Sequence, residues 1–215
     1  MKKFEQELAH LKARVMEMGE IAEAMVASAS AALIDHDMAA VESVLADETK
    51  LDRFQIEIDR DAVRLITIYS PIAKDLRFLL MMLRINTDLE RIGDQAVNNC
   101  EYVQTVSTSP PRPLTDLSEM TAITRSMVHD AIQSFDQEDT AKAQAVLKTD
   151  DDVDRLYNKT FRDLLADTSN DADRLNRSMN LILVARSLER IADHATNICE
   201  EVIYMVNSED VRHQH

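Results

Sequence analysis

Leu89-Glu90-Arg91-Ile92-Gly93-Asp94 returns further along the chain as Leu188-Glu189-Arg190-Ile191-Ala192-Asp193, and 9 of the 13 positions from Leu89 to Glu101 are identical in the second copy. The offset there is 99 residues. Upstream it is 102, carrying Met25-Val26 onto Met127-Val128, Asp37 onto Asp139, Asp52-Arg53 onto Asp154-Arg155 and Arg60-Asp61 onto Arg162-Asp163. Self-similarity at a nearly fixed period marks an internal repeat. The chain is a duplication, with a three-residue length difference confined to one connection.

The breaks follow from the same comparison. Ser107-Thr108-Ser109-Pro110-Pro111-Arg112-Pro113 holds three of the four prolines and reads as the linker, because proline stiffens a connection and excludes helix. Within the first copy, Asp35-His36-Asp37 interrupts the apolar period, with Asp37 placed as a helix N-cap, and Ser70-Pro71 makes a second break with Pro71 suited to a first helical turn. The second copy breaks near Asp136–Asp139 and at Thr168-Ser169-Asn170-Asp171. The expected fold is all-α: six long helices in two tandem three-helix bundles, residues 1–106 and 114–207, joined by 107–113 and followed by a disordered tail over 208–215. Leu76, Leu79, Leu80, Leu83, Ile85, Leu89 and Ile92 mix spacings of three and four and predict the buried seam of the third helix.

Four acidic pairs at i, i+4 recur between the copies: Glu48/Asp52, Glu90/Asp94, Asp150/Asp154 and Glu189/Asp193. Such pairs share a helix face and repel, so they add nothing to the helix unless a cation intervenes. Chance alone supplies about seven pairs at this spacing in so acidic a chain, and Glu57/Asp61, whose counterpart is Lys159/Asp163, reads as one of these on the solvated surface. The other four recur in both copies. Moreover, Glu48/Asp52 and Glu90/Asp94 are equidistant from the break at residue 71, and Asp150/Asp154 and Glu189/Asp193 from the break near 171. An antiparallel hairpin lays such residues side by side, so four carboxylates are expected to face one another twice. Oxygen-only ligands select hard cations such as iron, manganese, magnesium or calcium.

Asn98 and Asn197 lie one turn beyond Asp94 and Asp193, placed either to support a metal site or to make a helix–helix hydrogen bond. Arg91 and Arg190, also duplicated, read as neutralising the acids in preference to holding an anion such as phosphate. His194 has Gln95 as its counterpart and reads as an exposed histidine.

Composition narrows the function. Two glycines and four prolines in 215 residues suit long helices, and the aromatic content of 4% without tryptophan argues against a base-stacking platform. A net charge of −15 argues against direct nucleic-acid binding. No apolar run reaches the roughly 18–20 residues that cross a bilayer, and Met1-Lys2-Lys3-Phe4-Glu5 lacks a signal-peptide core, so a cytoplasmic protein is expected. Cys100 and Cys199 read as free buried thiols, and the 11 methionines as adaptable core filling. There is no Gly-rich phosphate loop and no duplicated nucleophile–base pair, so no catalytic turnover is expected.

The tandem D/ExxxD pairs, the LERIGD and LERIAD segments and the run Pro71-Ile72-Ala73-Lys74-Asp75-Leu76-Arg77 resemble the PhoU family, over essentially the whole chain to about Asn207. The resemblance implies multinuclear metal sites on Glu48, Asp52, Glu90, Asp94 and on Asp150, Asp154, Glu189, Asp193, holding iron before manganese, magnesium or zinc. It implies a homodimeric regulator that damps high-affinity phosphate uptake and keeps the starvation two-component response off. The partners implied are the transporter's ATPase subunit and the sensor histidine kinase, with membrane association only through them. The second copy departs from the pattern at Asn170-Asp171-Ala172-Asp173-Arg174-Leu175, which lacks the proline. Two other readings stand beside this one. A ferritin-like di-iron carboxylate protein needs Glu-x-x-His on two helices, and the chain has one such match, Glu7-Leu8-Ala9-His10. A metal-free helical adaptor needs none.

Overall fold

The computed structural model describes residues 2–35, 37–105, 115–166 and 172–211. Six helices follow in order: α1 (Lys2–Asp35), α2 (Met38–Tyr69), α3 (Ala73–Thr105), α4 (Thr115–Gln137), α5 (Thr140–Ala166) and α6 (Ala172–Asn207). There is no strand among the described residues. The linker 107–113, the second hairpin break at Thr168–Asp171 and the tail from 212 onward lie outside them.

The duplicated aspartates start equivalent helices. Asp37 Oδ1 accepts from the Ala39 and Ala40 amides at 3.0 and 3.3 Å, and Asp139 Oδ1 accepts from the Ala141 and Lys142 amides at 2.9 and 3.0 Å. Each thereby satisfies two of the amides that a helix N-terminus leaves open. α2 ends at Ser70, which turns left-handed (φ 44°) while its N–H donates to Ile66 O. The sequence reading set Pro71 in the first turn of the next helix, but α3 begins two residues later, at Ala73, itself at φ 49°. Two positive-φ residues, Ser70 at the end of α2 and Ala73 at the first position of α3, reverse the chain, and Pro71 is spent inside the turn between them.

α1 packs on α2 and α3, and α4 on α5 and α6; the halves join through α3 against α6 and, more lightly, α1 against α4. α3 and α6 run antiparallel, since Arg77 Nε donates to Met205 O and Arg84 pairs with Glu201, while Asp88 meets His194 and Asn197. α2 and α5 are the outer helices and touch only their own half. Leu79, Ile85, Leu89 and Ile92 are buried as the seam predicts, but Leu80 is 43% exposed and Met81 and Met82 take the inward positions. Seven of the methionines, including Met18, Met25, Met120 and Met127, are core residues. Cys100 and Cys199 are free and buried, and burial pushes their thiols up to about 11 and about 12. No described helix is long and apolar enough to cross a membrane.

Candidate metal centre

The first carboxylate set lies on the α2–α3 pair and the second on α5–α6. Burial raises the Glu48 carboxyl above its ordinary value, with Asp52 on its own helix and Asp94 and Glu101 across from it adding to the rise. Glu90 is raised by burial, then by Asp94 and by Asp52 across the pair, while Arg91 and His194 oppose the rise. The cross-helix partners are thus Glu48 with Asp94 and Glu90 with Asp52, the pairs equidistant from the turn. The second set repeats the arrangement. Asp150 is pushed up to about 7, by burial first and then by Asp193, Asp154, Asp151 and Glu189. Glu189 is raised by burial, Asp193 and Asp154; Asp193 by burial and Asp154.

Proteins seldom gather partly desolvated carboxylates without compensation, because each disfavours the charge of the next. One oxygen of Glu90 is shielded from solvent and accepts no hydrogen bond, with the Arg91 guanidinium 3.5 Å away. This donor set, all oxygen and all anionic, fits a hard cation. The side chains are crowded but not closed: among the described residues no three acidic, histidine or cysteine groups converge to ligand distance. Holding an ion requires rotation of side chains at the half-exposed rim, where Asp52, Asp154 and Asp193 are solvent-accessible.

The sequence pattern described as the PhoU domain matches residues 15–103 and again 117–202. The chain belongs to the PhoU family. It is 37% identical to the phosphate-specific transport system accessory protein PhoU homolog of Caulobacter vibrioides, covering 100% of this chain and 94% of that protein. The like-named protein of Aquifex aeolicus is also 37% identical, covering 97% and 95%. The crystal structure of PhoU from Pseudomonas aeruginosa superposes with a TM-score of 0.93 at 32% identity, over 96% of this chain and 100% of that one. A PhoU structure from Streptococcus pneumoniae, at 24% identity and TM-score 0.89, shares the fold.

Within this PhoU fold the remaining residues sort plainly. Arg91 stands 3.4 Å from Asp94 as well as beside Glu90, and Arg190 offsets the crowding at Glu189 and Asp193. The two asparagines do not turn to the acids. Asn98 donates to Gln95 on its own helix (3.4 Å), and Asn197 to Asp88 across the repeats (3.2 Å). His194 is not exposed: it is half-buried, with Nδ1 2.9 Å from Asp88 Oδ1. Glu57 and Asp61 are not idle surface either, because Arg14 of α1 binds both, Asp61 at 3.1 Å. Glu7, from the one Glu-x-x-His match, is held by Arg64 (2.7 Å) and Tyr69 (2.9 Å), which engages it in the α1–α2 contact.

Sequence reasoning missed Glu101 and Asp88. Glu101 had a signal, since it is seven residues beyond Asp94 and recurs as Glu200. Asp88 had none, because its counterpart is Ser187.

Proposed function

We propose that this chain is a regulatory accessory protein of phosphate uptake that acts by binding, restraining the transporter through its ATPase subunit and the starvation response through the sensor histidine kinase. The observation that supports this most is likeness over essentially the full length to proteins named phosphate-specific transport system accessory proteins. The helical scaffold suits such a role, offering long outer helices for contact with partners.

The proposal includes metal. Glu48, Asp52, Glu90 and Asp94 would hold a hard cation in the first repeat, and Asp150, Asp154, Glu189 and Asp193 one in the second. Iron is the first candidate, with manganese, magnesium or zinc as alternatives. A bound cation supplies positive charge, which relieves the mutual repulsion among the carboxylates and ties α2 to α3 and α5 to α6. Glu90, partly desolvated and lacking a hydrogen-bond donor on one oxygen, is the residue best prepared for it. Arg91 and Arg190 limit the anionic excess around each set.

Deletion of the gene in its native host, grown with ample phosphate, tests the regulatory reading. Derepressed phosphate uptake and starvation-gene expression are expected. Unchanged uptake and expression, in a strain with no second copy of the gene, would sink it.

A further inference from the structure

The α3–α6 seam joins two stretches of nearly the same sequence. Of the 13 positions from Leu89 to Glu101, 9 recur from Leu188 to Glu200. The register of the antiparallel contacts brings the segment around Ile92 to its own equivalent around Ile191. Such a surface is close to self-complementary, as the isologous interface of a twofold dimer is. On its shared residues alone, α3 of one chain could pair with α3 of another, and α6 with α6.

The polar contacts along the seam break that symmetry. Arg84 Nη1 donates to Glu201 Oε1 at 2.8 Å, and Glu201 is 6% exposed. The equivalents of this pair are Leu183 and Tyr102, which cannot form an ion pair. Asp88 Oδ1 lies 2.9 Å from His194 Nδ1 and accepts from Asn197 at 3.2 Å. The equivalent of Asp88 is Ser187 and that of His194 is Gln95, neither of them charged. Arg77 Nε donates to Met205 O at 3.2 Å, whereas Asn176 holds the place equivalent to Arg77. Each contact therefore runs from α3 to α6 and is not available when a helix faces its own kind. Pairing α6 with α6 would set Glu201 against Leu183 and away from Arg84, and separating a buried carboxylate from its cationic partner is strongly destabilising. Pairing α3 with α3 would set Arg84 against Tyr102 and give Asp88 the neutral amides of Gln95 and Asn98 in place of imidazole. The two errors come together, because every pair of first repeats strands two second repeats.

We propose that Arg84, Asp88, His194 and Glu201 form a recognition code along this seam, admitting a first repeat only against a second and rejecting like repeats of two copies of the chain. Attractive pairs on the correct partner and a misplaced buried charge on the wrong one act together, as specificity requires. Pairing within one chain then keeps one carboxylate set on each side of the seam. Neither metal nor a transporter subunit enters this code.

The test removes the tether and leaves the seam. Residues 107–113 are replaced by a protease site of the same length, and the full chain is cut only after it has folded, so both halves are present throughout. The cut protein is left to exchange in mild urea, returned to buffer and read at dilution by native mass spectrometry, which separates unlike from like pairs by mass. For wild type, the ratio of unlike to like pairs should exceed the statistical ratio by at least about tenfold. Arg84→Leu/Asp88→Ser/His194→Gln/Glu201→Tyr makes the two sides of the seam alike at these positions and should bring the ratio down to the statistical one, with helical circular dichroism retained. Where the fourfold variant loses helix, Arg84→Leu/Glu201→Tyr and Asp88→Ser/His194→Gln are read separately, and each should lower the preference. Statistical mixing in cut wild type overturns the proposal, and so does an undiminished preference in the folded variants. Halves that part and do not rejoin overturn it as well, since the seam would then recognise neither kind.

Discussion

Asp150 is the carboxylate whose surroundings cost it most. It is buried first of all, and then crowded by Asp193, Asp154, Asp151 and Glu189, which together push it up to about 7. An unfolded aspartate titrates near 3.9. Because the folded value is raised, the stabilisation associated with the protonated group is fully present below about pH 4 and is lost as the pH rises through about 7. Metal-free protein should therefore melt higher at pH 6 than at pH 8, in scanning calorimetry with chelator present. Asp150→Asn should raise the melting temperature at pH 8 and remove much of that difference. Metal affinity should change in the opposite sense, weakening as the pH falls across the same window, since ligands must be deprotonated to bind. A second residue-scale contrast lies opposite the acids. A Cβ on Gly93 would overlap Leu51 Cδ2, whereas the equivalent positions of the second copy are Ala192 and the smaller Val153. Gly93→Ala should cost about 1–3 kcal/mol by overpacking. Adding Leu51→Val should recover most of that loss in urea unfolding; a double variant no better than the single would show that the clash is not the cause.

At the scale of elements, the hairpins are held by more than their apolar seams. Arg14 of α1 reaches both Glu57 and Asp61 of α2, and its guanidinium stacks over the Phe54 ring at 5.3 Å. Its side chain is only 16% exposed, so this clamp is screened less than a surface pair. Arg14→Met should destabilise by about 1–2 kcal/mol in denaturant unfolding, with most of that cost shared with Glu57→Gln in a double-mutant cycle. A loss of a few tenths, or full additivity, would reduce the clamp to surface decoration. These contacts also show what the sequence makes legible. Helix count, the N-caps at Asp37 and Asp139 and the facing order of the acids all follow from the repeat, because equivalent residues of the two copies fold alike. The run from Leu79 to Leu83 is apolar at every position, so periodicity could not decide that Leu80 turns out and Met82 turns in. The contact of Asp88 with His194 and Asn197 was hidden for a different reason. It joins non-equivalent positions across the α3–α6 seam, so a search for what both copies share passes over it.

For the molecule as a whole, the antiparallel α3–α6 contact matters most, since it fixes both acidic hairpins to one centre. The carboxylates gathered in each repeat, of which Glu48, Glu90, Asp150, Glu189 and Asp193 are raised by burial, leave the metal-free protein carrying repulsion within each hairpin, and a cation bound only by the folded chain adds stability by mass action. The most direct measurement is the melting temperature of purified protein, stripped of metal and then supplied with iron, manganese or magnesium, for wild type and for Asp94→Asn/Asp193→Asn. At about a hundredfold excess over the dissociation constant each occupied site should add about 3 kcal/mol, or roughly 6–12 °C for a chain of this size. The double variant should lose most of that rise while keeping its helical circular dichroism. Equal melting temperatures with and without each metal, or a rise undiminished in the double variant, would contradict the assignment of these carboxylates to metal.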